Sequence, residues 1–230
     1  MFHSKQGKRV ELLSVHIPKT AGTSFRNTLI EVYGSEAVTR VDYPPEDQRD
    51  QEDPFAPPPE ELSRKVKVLH GHFNPVDLGE FYAGIPKDVK VITWVRNPVE
   101  RVISNYFYLR QRIRDEIRDN TPLNVGVTNR MVKTLMEYAI QDIARNRMAS
   151  FLRGMPLDQF TFVGIQEHYT EDLSHLAKIL GWINYVEHFH NVTEDKYSDV
   201  SEETWEEIKA LNSLDWELYQ EALAIRAARR

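Results

Sequence analysis

Three groups of residues in this chain of 230 have the types and spacing to do chemistry on an anion. Lys19, Thr20, Gly22, Thr23 and Ser24 crowd into one run, His16-Ile-Pro-Lys-Thr-Ala-Gly-Thr-Ser-Phe25. A cation, hydroxyls and a glycine at that spacing suit a phosphate or sulfate, because the first free N–H groups of a following helix and its dipole add positive charge at the same turn. Gly22 is expected to permit the tight turn itself. Arg96 and Ser104 form the second group: arginine offers a planar fork to a phosphate monoester, and serine adds a hydroxyl donor. His70 and His72, separated by Gly71, form the third, and histidine is the side chain best matched to proton removal near neutral pH. Metal ligation by this pair is disfavoured, since no further His, Cys or carboxylate cluster with metal-site spacing accompanies it, and no metal is expected.

Each group follows an apolar run that reads as a strand. Leu12, Leu13, Val15 and Ile17 precede the first, and Phe25, Leu29, Ile30 and Val32 give the helix after it a buried side. Val66 to Leu69 precedes the histidines, and Lys90 to Val95 precedes Arg96. Beyond Arg96, Asn97 can cap a helix, Pro98 fits its first position and Glu100 completes a capping box. That helix should run through Tyr106 to near Arg114, with Val102, Tyr106 and Leu109 on one side. Ser104 then lies about two turns in, on the edge it shares with Arg96. Open α/β sheets take their ligands at the carboxyl ends of their strands, where all three groups fall.

Composition narrows the function. A length of 230 suits one α/β domain, here taken as 1–230, with 41% hydrophobic and 28% charged residues. The formal net charge of −6 argues against general nucleic-acid binding, which depends on phosphate neutralisation. The absence of cysteine removes disulfides, thiolate metal sites and cysteine nucleophiles together. No apolar run approaches the roughly 20 residues of a membrane helix, and the first residues lack a signal-peptide core. The expectation is a cytoplasmic protein, or a catalytic domain cut from something longer, with no membrane partner. The proline-rich, acidic stretch from Asp42 to Glu61 reads as an irregular surface excursion, more a tolerated insertion than a substrate lid. Arg110, Arg112, Arg114 and Arg118 alternate with acids and read as a solvated helix face. Thr170 is expected to cap a helix reaching Leu180, and Ser201 and Ser213 to open two more.

The first loop is not a Walker A loop, whose lysine directly follows the second glycine; here Lys19 precedes Gly22 by three residues. Pro-Lys-Thr-x-Gly-Thr-Ser instead resembles the phosphosulfate-binding loop of sulfotransferases that use 3′-phosphoadenosine 5′-phosphosulfate (PAPS). Arg96 and Ser104 resemble that family's second motif, and Leu69-His-Gly-His-Phe73 resembles the histidine element of the glycosaminoglycan 2-O-sulfotransferases. The likeness extends from about Leu13 to Arg110 and continues more weakly to His190-Asn-Val-Thr-Glu-Asp-Lys196. It implies the sulfotransferase fold, a P-loop-like parallel sheet with helices on both sides, and release of PAP as product. Lys19, Thr20, Gly22, Thr23 and Ser24 would hold the 5′ phosphosulfate, and Arg96 and Ser104 the 3′-phosphate. Thr193 and Lys196 would belong to a loop over the nucleotide. His70, which directly follows its strand, would be the leading base, with Lys19 facing the leaving group and His72, freer beyond Gly71, in support. The acceptor would be a hydroxyl of a saccharide or small molecule. Unlike those relatives, this chain is acidic and free of cysteine, which weakens the case for a heparan-like acceptor. Two other readings stand beside this one: a P-loop-type small-molecule kinase, which should need Mg²⁺ and a carboxylate to hold it, and a noncatalytic nucleotide-binding module.

Overall fold

The protein is described from a computed structural model covering residues 10–48, 58–119, 134–188 and 200–229. Five strands pair in parallel in the order β2-β3-β1-β4-β5. They are β1 (Leu12–Val15), β2 (Val38–Arg40), β3 (Val68–Gly71), β4 (Lys90–Val95) and β5 (Phe162–Ile165). A parallel sheet covered on both faces calls for near-continuous apolar runs, and β1, β3 and β5 are buried throughout. Because every strand points the same way, all the carboxyl ends lie along one edge. The chain leaves β1 toward β2 and β3 on one side and later continues to β4 and β5 on the other, so the loops after β1, β3 and β4 meet there.

Alternation along the strands sends side chains to two cores. Leu12, Val68, Ile92, Trp94 and Phe162 pack with Phe25 and Leu29 of α1 (Gly22–Tyr33) and Leu173 and Leu176 of α6 (Tyr169–Leu180). Leu13, Val15, Leu69, Val91 and Val163 pack on the opposite face, against α2 (Pro75–Phe81), α5 (Arg147–Leu152) and α8 (Ser213–Ala228). Val102, Tyr106 and Leu109 of α3 (Pro98–Arg118) form a third cluster with Tyr138 of α4 (Leu135–Ala139) and Ile208 of α7 (Glu202–Leu211). The fold class is therefore the expected α/β parallel sheet flanked by helices.

Several local expectations are corrected. The third strand starts later and runs through Gly71, which places His70 within it. Helix α3 opens as read, with Asn97 Oδ1 accepting from the N–H groups of Val99 at 3.0 Å and Glu100 at 3.3 Å, but it continues to Arg118. Its capping box is not closed by Glu100. The Asn97 N–H donates to Glu167 at 2.6 Å, and Glu100 instead pairs with Arg96. Thr170 lies inside the first turn of α6, whose N-cap is His168. Ser201 caps α7 through the Thr204 N–H, as expected, while the N-cap of α8 is Asn212. The solvated character of the arginine face holds: Arg112 pairs with Glu116, and Arg118 with Asp115 and Asp119.

Candidate active site

The loop after β1 makes its turn at unexpected residues. Lys19 and Ala21, rather than Gly22, hold positive φ, at 73° and 69°. The intervening Thr20 does not, and such an alternation of φ at the start of α1 is the kind found in anion nests. Such conformations cost free energy for non-glycine residues and persist where the surrounding structure enforces them. Gly22 is the first helical residue and serves close packing: a Cβ there would sit 1.9 Å from the His16 ring. Thr20 is buried, and its hydroxyl donates to the Ile17 carbonyl at 2.9 Å, so it ties the loop shut. It does not line the cleft, whereas Thr23 and Ser24 do.

That cleft, about 350 Å³, runs along the carboxyl edge of the sheet. Lys19, Gly22, Thr23, Ser24, Arg96 and Ser104 line it together with His70 and His72, so every expected site residue in the described part except Thr20 converges there. Thr193 and Lys196 lie outside the described residues. The Lys19 ammonium rests 4.2 Å from the centre of the Tyr108 ring, a cation–π contact that aims it from the loop toward α3. Arg96 reaches the Lys19 carbonyl at 3.4 Å and Glu100 at 3.0 Å, linking the end of β4 to the loop after β1.

The histidines differ sharply from one another. His70 is 2% exposed, its Nδ1 lies 2.9 Å from Ser14 Oγ, and burial, reinforced by His72, Arg26 and Arg40, lowers its pKa to about 3. His72 has a 26% exposed side chain whose Nδ1 lies 3.0 Å from Asp42 Oδ1. The backbone holds it as well, since its N–H donates to Asp42 and its carbonyl accepts from Tyr43 at 2.7 Å. His72 is thus the more exposed of the two histidines, yet it is held by side chain and backbone alike. Gly71 explains the His-Gly-His spacing, because a Cβ there would lie 2.0 Å from the Val41 carbonyl oxygen.

Sequence reasoning missed four contributors. His16 stacks on His70, with ring centres 5.3 Å apart, and lies 4.5 Å from the His72 ring. Desolvation, then His72 and His70, push its pKa well below the usual value, so it is a neutral ring between the loop and the other two histidines. Asp42 accepts from both His72 and Arg40, the latter at 2.7 Å. Burial opposes ionisation of Asp42, yet hydrogen bonds and charge from His72 and Arg40 hold its pKa well below the carboxylate range. Arg26, from α1, lines the cleft with Arg40. A signal existed for His16, which directly follows β1 as His72 directly follows β3. Arg40 and Asp42 carried none, because β2 is only three residues long. Among the described residues no group of three or more His, Cys, Asp or Glu is arranged to hold a metal ion. No helix among them is long and apolar enough to cross a membrane.

A parallel α/β sheet with a nest after its first strand and cations along its carboxyl edge is the architecture of a phosphate- or sulfate-handling protein. Residues 4–220 match the sulfotransferase family, and the chain belongs to that family, whose general activity is sulfuryl transfer. The match is to the family as a whole and selects no branch within it. No curated protein matches the chain. Among solved structures, it is similar to a sulfotransferase from Alicyclobacillus acidocaldarius, 17% identical over 96% of this chain and 99% of that one, with a TM-score of 0.44. It is also similar to the mouse sulfotransferase SULT7A1 complexed with PAP, 16% identical over 74% of this chain and 57% of that one, with a TM-score of 0.38.

Proposed function

We propose that this protein is a PAPS-dependent O-sulfotransferase acting on a hydroxyl of a saccharide or small molecule. The observation that carries the reading is a single cleft shared by Lys19 and by His72, which Asp42 holds from behind. The donor set suits PAPS: main-chain N–H groups, Lys19, Thr23 and Ser24 for the 5′ phosphosulfate, and Arg96 with Ser104 for the 3′-phosphate. Thr20 contributes by fixing the loop. Thr193 and Lys196 rest on the family resemblance alone. When bound, PAPS supplies the sulfuryl group and leaves as PAP.

The remaining chemistry falls to the chain. With Nδ1–H held on Asp42, His72 presents Nε2 to the acceptor hydroxyl and takes its proton as the oxygen bonds to sulfur. The bond from sulfur to the phosphate oxygen breaks, and Lys19 neutralises the charge left on that oxygen. Asp42 stabilises the imidazolium that His72 becomes, the role a carboxylate plays behind any histidine base. His70 is a poor place to store a proton, because burial penalises its charged form. The leading base therefore moves from His70 to His72, with His70 and His16 forming a neutral wall. No covalent enzyme intermediate is needed.

The test is transfer from labelled PAPS to pools of hydroxyl acceptors, with product sulfate followed by mass. Transfer should persist in excess EDTA and fall about 100-fold or more in Lys19→Ala. Phosphorylation from ATP that vanishes on chelation and returns with Mg²⁺ would replace the assignment with a kinase.

A further inference from the structure

The order of groups along the sheet edge separates the two ends of the cleft. Arg40 pairs in register with His70, His70 with Ser14, and Ser14 with Ile92, so four neighbouring strands present these residues in one row. Adjacent strands lie about 4.8 Å apart, which puts the Arg40 backbone about 5 Å beyond the histidine strand and about 10 Å from β1. On the reading above, the nucleotide takes the β1 and β4 side, through Lys19, Arg96 and Ser104. Arg40 lies on the far side of the histidines, where the acceptor must enter.

Charge marks the same division. The chain carries a formal net charge of −6, yet Lys19, Arg26, Arg40 and Arg96 line the cleft and, among the described residues, no carboxylate does. Lys19 and Arg96 are assigned to the donor. Arg26 and Arg40 remain, both close enough to His70 to oppose its protonation. Asp42 balances Arg40 in part, but that carboxylate also serves His72. Arg40 contacts it through Nε, and its outer guanidinium belongs to a 57% exposed side chain.

We propose that Arg40 and Arg26 form an acceptor subsite for an anionic oxygen group, and that the acceptor carries such a group, carboxylate or phosphate, about one strand spacing from its reacting hydroxyl. This inference rests on the PAPS reading and specifies its acceptor. Recognition by two arginines fixes the hydroxyl beside His72 and discriminates against neutral alcohols, which would leave the guanidinium groups unanswered.

The test uses full-length protein saturated with PAP, so that added anions cannot occupy the nest. Inorganic phosphate and acetate, each against chloride at equal ionic strength, are the two probes. At least one should raise the thermal midpoint, and the stronger identifies the group; the rise should shrink in Arg40→Gln and in Arg26→Gln. With PAPS as donor, methyl glucuronide is then compared with methyl glucoside, and glucose 6-phosphate with glucose. For the preferred anionic acceptor, KM should rise about tenfold to a hundredfold in either variant, while in Arg26→Gln the neutral partner changes little. Arg26→Gln guards against disturbance of Asp42, which its side chain does not contact by hydrogen bond. An equal loss of turnover with both partners in Arg26→Gln would mark a structural defect and would overturn the subsite. Indifference of the PAP-saturated wild type to both anions would overturn this inference alone. Failure of PAP to bind would overturn the PAPS reading and this inference with it.

Discussion

Two arginine–aspartate pairs in this molecule share a composition and differ in almost everything else. Arg40 and Asp42 meet at 2.7 Å beside the cleft, with side chains 57% and 36% exposed. Arg101 and Asp215 meet at 3.8 Å with both side chains sealed from solvent. The first pair keeps its carboxylate ionised and turned toward His72. In the second, burial raises the Asp215 pKa, while Asp215 also accepts the Met148 and Ala149 N–H groups at the start of α5. Arg101 donates to the Ala144 carbonyl, so this network ties α3, α5 and α8 together. Placement decides the use of a charge: one pair holds the histidine proposed as base, the other holds helices.

The comparison can be broken by substitution. The largest effect should come at the open end, where His72→Asn removes the base and lowers turnover by about 10² to 10⁴-fold. Its stability should change by about 1 kcal/mol or less, because Asp42 keeps Arg40 as a partner. At the sealed end, Arg101→Ala should cost about 3 to 5 kcal/mol in denaturant unfolding, by leaving Asp215 buried without its countercharge. A catalytic loss of folded Arg101→Ala protein larger than that of His72→Asn would erase the distinction between the two pairs.

A smaller effect at any one pH separates the two neighbouring histidines. The folded-state pKa of His70 is depressed from 6.5 to about 3, so the folded protein resists a proton that the unfolded chain accepts. The stability contribution is thus fully present above pH 6.5 and is lost progressively as the pH falls toward 3. His70→Gln should flatten that acid limb of stability, measured by thermal midpoint against pH. The smallest effect concerns the helix that presents Ser104: Asn97→Ala should cost about 1 kcal/mol by removing its cap, with equilibrium unfolding as the check.

What the sequence made legible was what lies close together in it. The Lys19 to Ser24 run, the His-Gly-His triplet and the Asn97-Pro98 helix start each carry their own local signal. So do the apolar runs that became β1 and β4, while the class of fold followed from the family resemblance that these motifs carry. What it hid depends on contacts between distant strands. Asp42 reaches His72 only because β2 adds to the edge beside β3, and Arg40 stands opposite His70 by register. Glu167 takes the place of Glu100 at the Asn97 N–H across 70 residues of chain, and this leaves Glu100 for Arg96. The proposed base differs from the expected one for a related reason: the strand that directs His70 toward the edge also buries it.

One measurement reaches the 3′-phosphate subsite proposed at Arg96 and Ser104, beside Lys19, without knowledge of the acceptor. The thermal midpoint of the purified protein should rise much more with saturating PAP than with AMP or ATP at the same concentration. Equal stabilisation by PAP and AMP, or none by PAP, would contradict the central claim.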